Sequence, residues 1–223
     1  MGYFRLLILL LTPLLLSGQE WRNLFNGSDL SGWEVRGDGA WTVLKDGTLF
    51  CRRTPPDAKA PFGAWPVDEK QFRSWRGRQA WLYTKRNDFD EFDLQLEYLL
   101  GPGGNSGVSI RDTSRGENAV SGGPTPSHIG YEIQISQNPA GKYPSGSVYL
   151  LARATGKYDR ECDWNKLEIQ SRRDLMRVLV NGQLAAEHTG EANRPKVGPI
   201  GLQIHDAFTW IMYRNIRIRE IRH

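Results

Sequence analysis

The feature of this chain that most constrains its fold is the alternation of apolar and polar residues in many short segments. Residues 107–112, 131–136 and 201–206 each alternate with a period of two, which places apolar side chains on one face of a strand and polar side chains on the other. The 24 glycines and 12 prolines are spread between such segments, and no long segment has the period of an amphipathic helix. The sequence therefore predicts an all-β sandwich or barrel.

The individual strands and turns follow from the same pattern. Residues 45–47 (Lys-Asp-Gly) and 181–182 (Asn-Gly) predict tight hairpin turns, because Asp-Gly and Asn-Gly readily adopt positive φ angles. Every second residue from Phe92 to Tyr98 is apolar, as expected for a strand that faces the core of a two-layer structure. The predicted strands are residues 41–44, 48–52, 81–84, 89–100, 107–111, 131–136, 147–151, 165–172, 175–181, 200–205 and 209–221.

Two long loops interrupt these strands. Residues 54–79 contain several prolines and only a short helical stretch at 68–75, so we predict an inserted loop that carries a short helix. Residues 114–127 form a second loop, whose end at 125–128 is expected to border the polar face of the strands beside it. The aromatic residues of the first loop either cover one end of a cleft or pack the loop onto the body; they are Phe62, Trp65, Phe72 and Trp75.

The first 18 residues have the pattern of a secretory signal. A charged start with Arg5 precedes an apolar run at 6–16, and small residues follow it. The run is shorter than the roughly 20 residues that cross a bilayer, and Pro13 interrupts it, so an uncleaved anchor is the lesser alternative. We expect an exported protein, periplasmic or extracellular, with one domain over 19–223 and no membrane span after cleavage.

Charge and cysteine content narrow the possible partners. The net charge is +4 with scattered basic residues, and the C-terminal arginines alternate with isoleucines, so nucleic acid binding is not expected. Cys51 and Cys162 either form a disulfide, which an exported compartment permits, or remain two separate thiols. The sequence has no cluster of Cys and His residues at the spacing of metal ligands, so a structural zinc site is not predicted. The oligomeric state is left open.

The polar face of the alternating strands is the candidate functional surface. If the strands are neighbours, their polar side chains share one sheet surface, and Tyr149 and Trp164 add flat apolar area nearby. Planar donors beside aromatic rings suit a saccharide, whereas the alternative is a sheet face that is merely solvated. The residues that form this face are Arg111, Glu132, Gln134, Gln203 and His205.

The carboxylates on this surface do not fit ordinary glycoside hydrolysis. That reaction uses two carboxylates, but the residue that shares the strand face with Glu132 is the neutral Gln134. The alternative sources of a second acid are Asp112, Asp163 and Asp206 in loops. Each stands where a turn residue is expected, so a turn role is favoured for each.

Several ordered blocks of sequence resemble one known family. They include Trp-Arg-Asn-Leu-Phe-Asn-Gly-Ser-Asp-Leu-Ser-Gly-Trp at 21–33, Gly-Asn-Ser-Gly-Val-Ser-Ile-Arg at 104–111, Tyr-Glu-Ile-Gln-Ile at 131–135 and Gly-Pro-Ile-Gly-Leu-Gln-Ile-His at 198–205. In this order they are similar to the 3-keto-disaccharide hydrolase domain family. The resemblance implies a concanavalin A-like β-sandwich, a jelly roll of two antiparallel sheets, whose concave sheet holds a carbohydrate.

The family's candidate site positions carry over to this chain by motif match. The chain departs from the family in its insertion at 54–79 and at Ser136, where similar sequences often have aspartate. The matching positions are Arg111, Glu132, Gln134, Tyr149, Trp164, Asn165, Gln203 and His205. Of these we expect Glu132, His205 and Arg111 to be catalytic, and we expect the others, together with Asn105, to bind the saccharide. No cofactor or metal ligand is predicted; a structural calcium ion stays open, because some sandwich lectins bind one, although no acidic cluster here demands it.

A 3-keto sugar changes the chemistry that is needed. Its C3 carbonyl acidifies the C2 proton, so elimination of the C1 group followed by hydration requires one base, one acid and an oxyanion stabiliser. Either Glu132 or His205 takes the proton while the other assists the leaving group, and Arg111 holds the enolate oxygen with a glutamine, Gln134 or Gln203. The alternatives are a non-catalytic carbohydrate-binding module and, less favoured, an adhesion or scaffold domain.

Overall fold

The computed structural model describes residues 19–53, 68–120, 123–138 and 140–221. The predicted signal segment and the greater part of the inserted loop, with Phe62 and Trp65, lie outside the described residues.

Within these ranges the chain forms thirteen strands and two short α-helices. The strands are β1 (Arg22–Asn23), β2 (Trp33–Arg36), β3 (Gly39–Val43), β4 (Leu49–Arg53), β5 (Ala80–Thr84), β6 (Phe92–Leu100), β7 (Asn105–Ile110), β8 (Tyr131–Ser136), β9 (Asn165–Ser171), β10 (Leu175–Val180), β11 (Gln183–Thr189), β12 (Ile200–Ile204) and β13 (Trp210–Glu220). The helices are α1 (Glu69–Arg76) and α2 (Glu117–Val120).

The strands form two antiparallel sheets. The eight-stranded sheet has the order β11-β10-β9-β6-β13-β4-β3, and β1 also pairs with β13. The five-stranded sheet has the order β2-β5-β12-β7-β8. Apolar side chains from the two sheets form one buried cluster, in which Leu94 and Leu96 of β6 are joined by Val108 of β7 and Ile133 of β8. The predicted all-β sandwich is confirmed.

The strand predictions are wrong at one segment and incomplete at others. Residues 147–151 form only isolated bridges at Val148 rather than a strand, and Leu150 turns the backbone at φ 67°. The strands β1, β2 and β11 were not predicted. Of these, β11 contains two alanines and one glutamate, residue types that are depleted in strands, and it forms because it pairs with β10 along its length.

The turn and helix predictions are confirmed. Asn181 and Gly182 join β10 to β11 with φ angles of 50° and 81°, the two positive values that a tight hairpin turn needs. Helix α1 lies within one residue of the predicted stretch. Its Trp75 is buried and donates its indole N–H to Asp38, which packs the described end of the inserted segment onto the body.

Both cysteines are free thiols. Cys51 is buried in the core and Cys162 is exposed, so of the two alternatives the structure has separate thiols.

Among the described residues, no helix combines the length and the apolar character that a membrane crossing requires.

Candidate functional site

The outward face of the five-stranded sheet carries four of the five polar side chains that were predicted to share one surface. On β8, Glu132 and Gln134 point away from the core, because Ile133 and Ile135, which alternate with them, are buried in it. Asn105 of β7 and Gln203 of β12 lie on the same face, and β7 is the strand between β8 and β12. We call this surface, with His205 at the end of β12, the polar face.

The two central side chains of the polar face touch across a strand. Gln203 Nε2 donates to Glu132 Oε1 at 2.9 Å, although their strands are two positions apart, roughly 10 Å in a sheet. The contact depends on Gly107 of the intervening strand. A Cβ atom on Gly107 would lie 2.9 Å from Glu132 Oε1 and 3.2 Å from the carbonyl oxygen of Ile133. Glycine therefore leaves the space in which the carboxylate and the amide meet.

Replacing Gly107 with alanine should destabilise the protein and separate this pair. The added methyl group overpacks a buried site that includes backbone, so we expect the free energy of unfolding to fall by about 2 kcal/mol. Urea unfolding measures this change. Gly77→Ala is the matched control, because the nearest atom to its added Cβ is 3.7 Å away, in ordinary contact. Equal stability of both variants would contradict the packing assigned to Gly107.

The electrostatic setting of Glu132 is unusual for a carboxylate. Burial raises its pKa to about 7, against the opposing effects of the His205 charge and the hydrogen bond from Gln203. The Glu132 residue is only 3 % exposed. Glu132 therefore exchanges a proton near neutral pH, which is the range in which a general base is most effective.

His205 lies at the more open end of the polar face. Its side chain is 40 % exposed, and its Nδ1 is 3.4 Å from Asp206 Oδ2. Burial favours the neutral form of Asp206, but contacts with His205 and with the Phe208 amide outweigh it, so the pKa of Asp206 is lowered. An ionised Asp206 therefore stands beside the imidazole.

Gln134, Asn105 and Tyr149 are further polar residues on or beside the polar face. Gln134 Nε2 donates to Asn105 Oδ1 at 3.2 Å. The Tyr149 backbone N–H donates to the carbonyl oxygen of Glu132 at 2.8 Å, and its ring makes an edge contact with Tyr143. Burial and the charge of Glu132 raise the pKa of the Tyr149 phenol, so the phenol lies in the field of that carboxylate.

This region also contains Gln79, Trp81 and Phe208, which were not predicted as site residues. Gln79 Oε1 accepts from Gln203 Nε2 at 3.2 Å and from Trp81 Nε1 at 3.1 Å. Phe208 is 67 % exposed, and its ring lies 6.2 Å from that of Phe72. An aromatic residue three positions after His205 was a signal available in the sequence, whereas the role of Gln79 depends on a contact between distant segments.

Arg111 does not lie on the polar face, so the prediction that it shares this surface with Glu132 is wrong. Its φ angle of 60° breaks the alternation at the end of β7, and the side chain is 1 % exposed. The guanidinium donates to three backbone carbonyl oxygens in loops of the other sheet. They belong to Asp90 at 3.0 Å, Arg172 at 2.9 Å and Arg173 at 3.3 Å.

Trp164 and Asn165 also lie elsewhere, because they precede and begin β9 of the eight-stranded sheet. Asn165 is buried, and its amide donates to two carbonyl oxygens of the preceding loop, those of Arg160 and Asp163. The Trp164 ring stacks on the Arg214 guanidinium at 3.9 Å. Their contacts are those of packing residues, and the predicted placement of both on the saccharide surface is wrong.

The turn roles predicted for the aspartates are confirmed where hydrogen bonds define them. Asp112 accepts from the backbone N–H groups of Ser114 and Gly116, and also from the Tyr83 hydroxyl at 2.7 Å. Asp206 accepts from two backbone N–H groups in the turn that it begins. Asp112 and Asp206 therefore accept hydrogen bonds within turns, whereas the Glu132 carboxylate on the polar face does not.

The described part of the chain contains no group of three or more His, Cys, Asp or Glu side chains arranged to hold a metal ion. A separate cleft of about 510 Å³ lies between the end of β8 and residues 153–157, and none of the predicted site residues lines it.

Both the sequence and the fold have counterparts among known proteins. Residues 20–219 match the model of the 3-keto-alpha-glucoside-1,2-lyase-like domain family. The chain belongs to this family. The resemblance found from the ordered sequence blocks is thereby confirmed, and the family is carbohydrate-related. No curated protein matches the chain.

Solved structures with the same fold include both enzyme-like and binding proteins. A candidate glycosyl hydrolase from Parabacteroides distasonis is 22 % identical, with a TM-score of 0.66 over 91 % of this chain and 100 % of its own. A protein of unknown function with a galectin-like fold from Bacillus subtilis is 15 % identical, with a TM-score of 0.59 over 92 % and 96 %. The carbohydrate-binding module CBM66 from Bacillus subtilis is 12 % identical, with a TM-score of 0.55 over 85 % and 96 %. At these identities the likeness shows the fold alone.

Proposed function

We propose that this protein cleaves 3-keto-glycosides by elimination across C1 and C2, followed by hydration. The observation that carries the proposal is the single buried carboxylate of the polar face, Glu132, whose pKa of about 7 suits a general base. The family match supports the same reaction class, because its description names a 1,2-lyase acting on 3-keto-α-glucosides.

The reaction begins at C2, where the C3 carbonyl makes the C–H bond acidic. Glu132 accepts the C2 proton, and the electron pair of that bond forms an enolate with the C3 oxygen. Collapse of the enolate breaks the bond between C1 and the leaving oxygen, which takes a proton from His205. The product is an enone with a C1–C2 double bond. Water then adds its oxygen to C1 and gives a proton to His205, while Glu132 returns its proton to C2.

The enolate oxygen needs hydrogen-bond donors, and Arg111 is not available for this role. Gln134 uses one N–H on Asn105 and has a second N–H to donate. The Nδ2 group of Asn105 donates to no residue in the described part of the chain. We therefore assign the oxyanion contacts to Gln134 and Asn105. Tyr149 and the exposed ring of Phe208 offer flat surfaces beside the sugar.

A two-carboxylate glycosidase mechanism fits this site less well. It requires a second carboxylate about 5–10 Å from Glu132, and the nearby aspartates are held by turn hydrogen bonds.

We also propose that the protein acts after export, on the basis of its first 18 residues.

The direct test is release of the aglycone. The purified protein is incubated with a 3-keto-α-glucoside and, separately, with its unoxidised parent, and the free aglycone and the enone are measured. We expect release from the keto sugar alone, because only its C3 carbonyl acidifies C2. Saturable binding of either sugar without release would instead support the carbohydrate-binding module, which the exposed ring of Phe208 would also suit.

A further inference from the structure

We propose that Gln79 is a positioning residue, which fixes the orientation of the Gln203 amide toward the Glu132 carboxylate. It acts through Gln203 and contacts no reacting atom. The significance for catalysis rests on the proposed function, but the orientation itself does not.

A continuous series of hydrogen bonds connects the Trp81 indole to the Glu132 carboxylate. Trp81 Nε1 donates to Gln79 Oε1 at 3.1 Å, and Gln203 Nε2 donates to the same oxygen at 3.2 Å. The second N–H of Gln203 donates to Glu132 Oε1 at 2.9 Å. All four side chains are buried, Trp81 and Gln203 completely, so solvent does not compete with these bonds.

The Trp81 indole determines the direction of every hydrogen bond in this series. An indole N–H only donates, so the atom that faces Trp81 must be an acceptor, which is the carbonyl oxygen of the Gln79 amide. That oxygen in turn requires a donor from Gln203, so Nε2 is the end of the Gln203 amide that also faces Glu132. Gln203 Oε1 is buried and has no partner among the described residues, so the two contacts of Nε2 alone hold the amide in this orientation.

The orientation matters because an amide has a donor end and an acceptor end. An N–H directed at Glu132 stabilises the ionised carboxylate, whereas a carbonyl oxygen in its place would stabilise the protonated form. Several other titratable groups share this field. The charge of His205 lowers the pKa of Glu132 and that of Asp112 raises it, and Tyr83, Tyr149 and Tyr213 are the phenols influenced by Glu132.

The test is the titration of Glu132 in variants of the full protein. Gln79→Met removes the acceptor with little change in volume, and Trp81→Phe removes the obligate donor. We expect the pH midpoint of Glu132, followed by carboxyl NMR, to rise by about one pH unit in each variant. The double variant should rise no further than either single one, because both act through the same amide. Circular dichroism checks that each variant is folded, and the two single substitutions test the orientation independently.

Gln95→Met is the matched control, because Gln95 is a buried glutamine hydrogen-bonded to Glu168 and Arg217 in the other sheet. In this variant the pH midpoint of the Glu132 titration should equal that of the wild type. An unchanged midpoint in folded Gln79→Met, or additive shifts in the double variant, would overturn the assignment. If the wild-type protein does not turn over the keto sugar, the proposed function is overturned, but the titration result still holds.

Discussion

Glu132→Gln should lower the rate of aglycone release from a 3-keto-α-glucoside by about 10³-fold, because the variant has no group that accepts the C2 proton. The substitution keeps the size of the side chain, so we expect KM to change little and kcat to carry the loss. Steady-state kinetics measures both. In deuterated water, exchange at C2 of the bound keto sugar should disappear together with turnover.

The matched control for this variant is Glu168→Gln. Glu168 also accepts a hydrogen bond from a glutamine, Gln95, at 2.7 Å, but it lies on β9 of the other sheet. Its turnover should stay within a factor of two of the wild-type rate. Near-normal turnover of the Glu132 variant would remove Glu132 from the role of base, and His205 would then be the group to replace.

The stability of the wild-type protein should fall as the pH rises from about 4.5 to about 7, and Glu132 should be a main cause. The pKa of Glu132 rises from 4.5 in the unfolded chain to about 7 in the folded protein, so the folded state binds the proton more tightly. This contribution to stability is complete below pH 4.5 and is lost as the pH passes the folded pKa. The loss amounts to about 3 kcal/mol.

Comparison with Glu132→Gln isolates this contribution from other titrating groups. We expect the difference in unfolding free energy between variant and wild type to move by about 3 kcal/mol in favour of the variant between pH 4.5 and pH 8. Urea unfolding at the two pH values measures it. A difference that is the same at both values would mean that the folded protein does not hold Glu132 in its neutral form.

The period-two alternation was sufficient to place part of the candidate site. It assigned Glu132 and Gln134 to one face of a strand, because Ile133 and Ile135, which alternate with them, belong to the core. The same argument placed Gln203 correctly. It did not place Arg111, because a single residue with positive φ at the end of β7 reverses the direction of the side chain. The periodicity of the sequence does not predict such a reversal.

Other features depended on which strands became neighbours. Trp164 and Asn165 resemble site residues in sequence, but β9 joined the eight-stranded sheet, so they lie away from Glu132. Gln79 entered the site because β5 pairs with β12, which brings the end of the inserted segment beside Gln203. These pairings are long-range, and alternation within a strand carries no information about its partner.

The amino-acid sequence by itself determined the all-β class, the inward and outward faces of the main strands and the membership of the family. Each of these depends on local side-chain patterns or on the order of blocks along the chain. Only the tertiary structure decided that Glu132 meets Gln203 over Gly107, that burial raises the pKa of Glu132 to about 7, and that Arg111 binds loop carbonyls instead. Burial and cross-strand contacts are properties of the packed sheets, because they arise only when segments distant in sequence exclude water together.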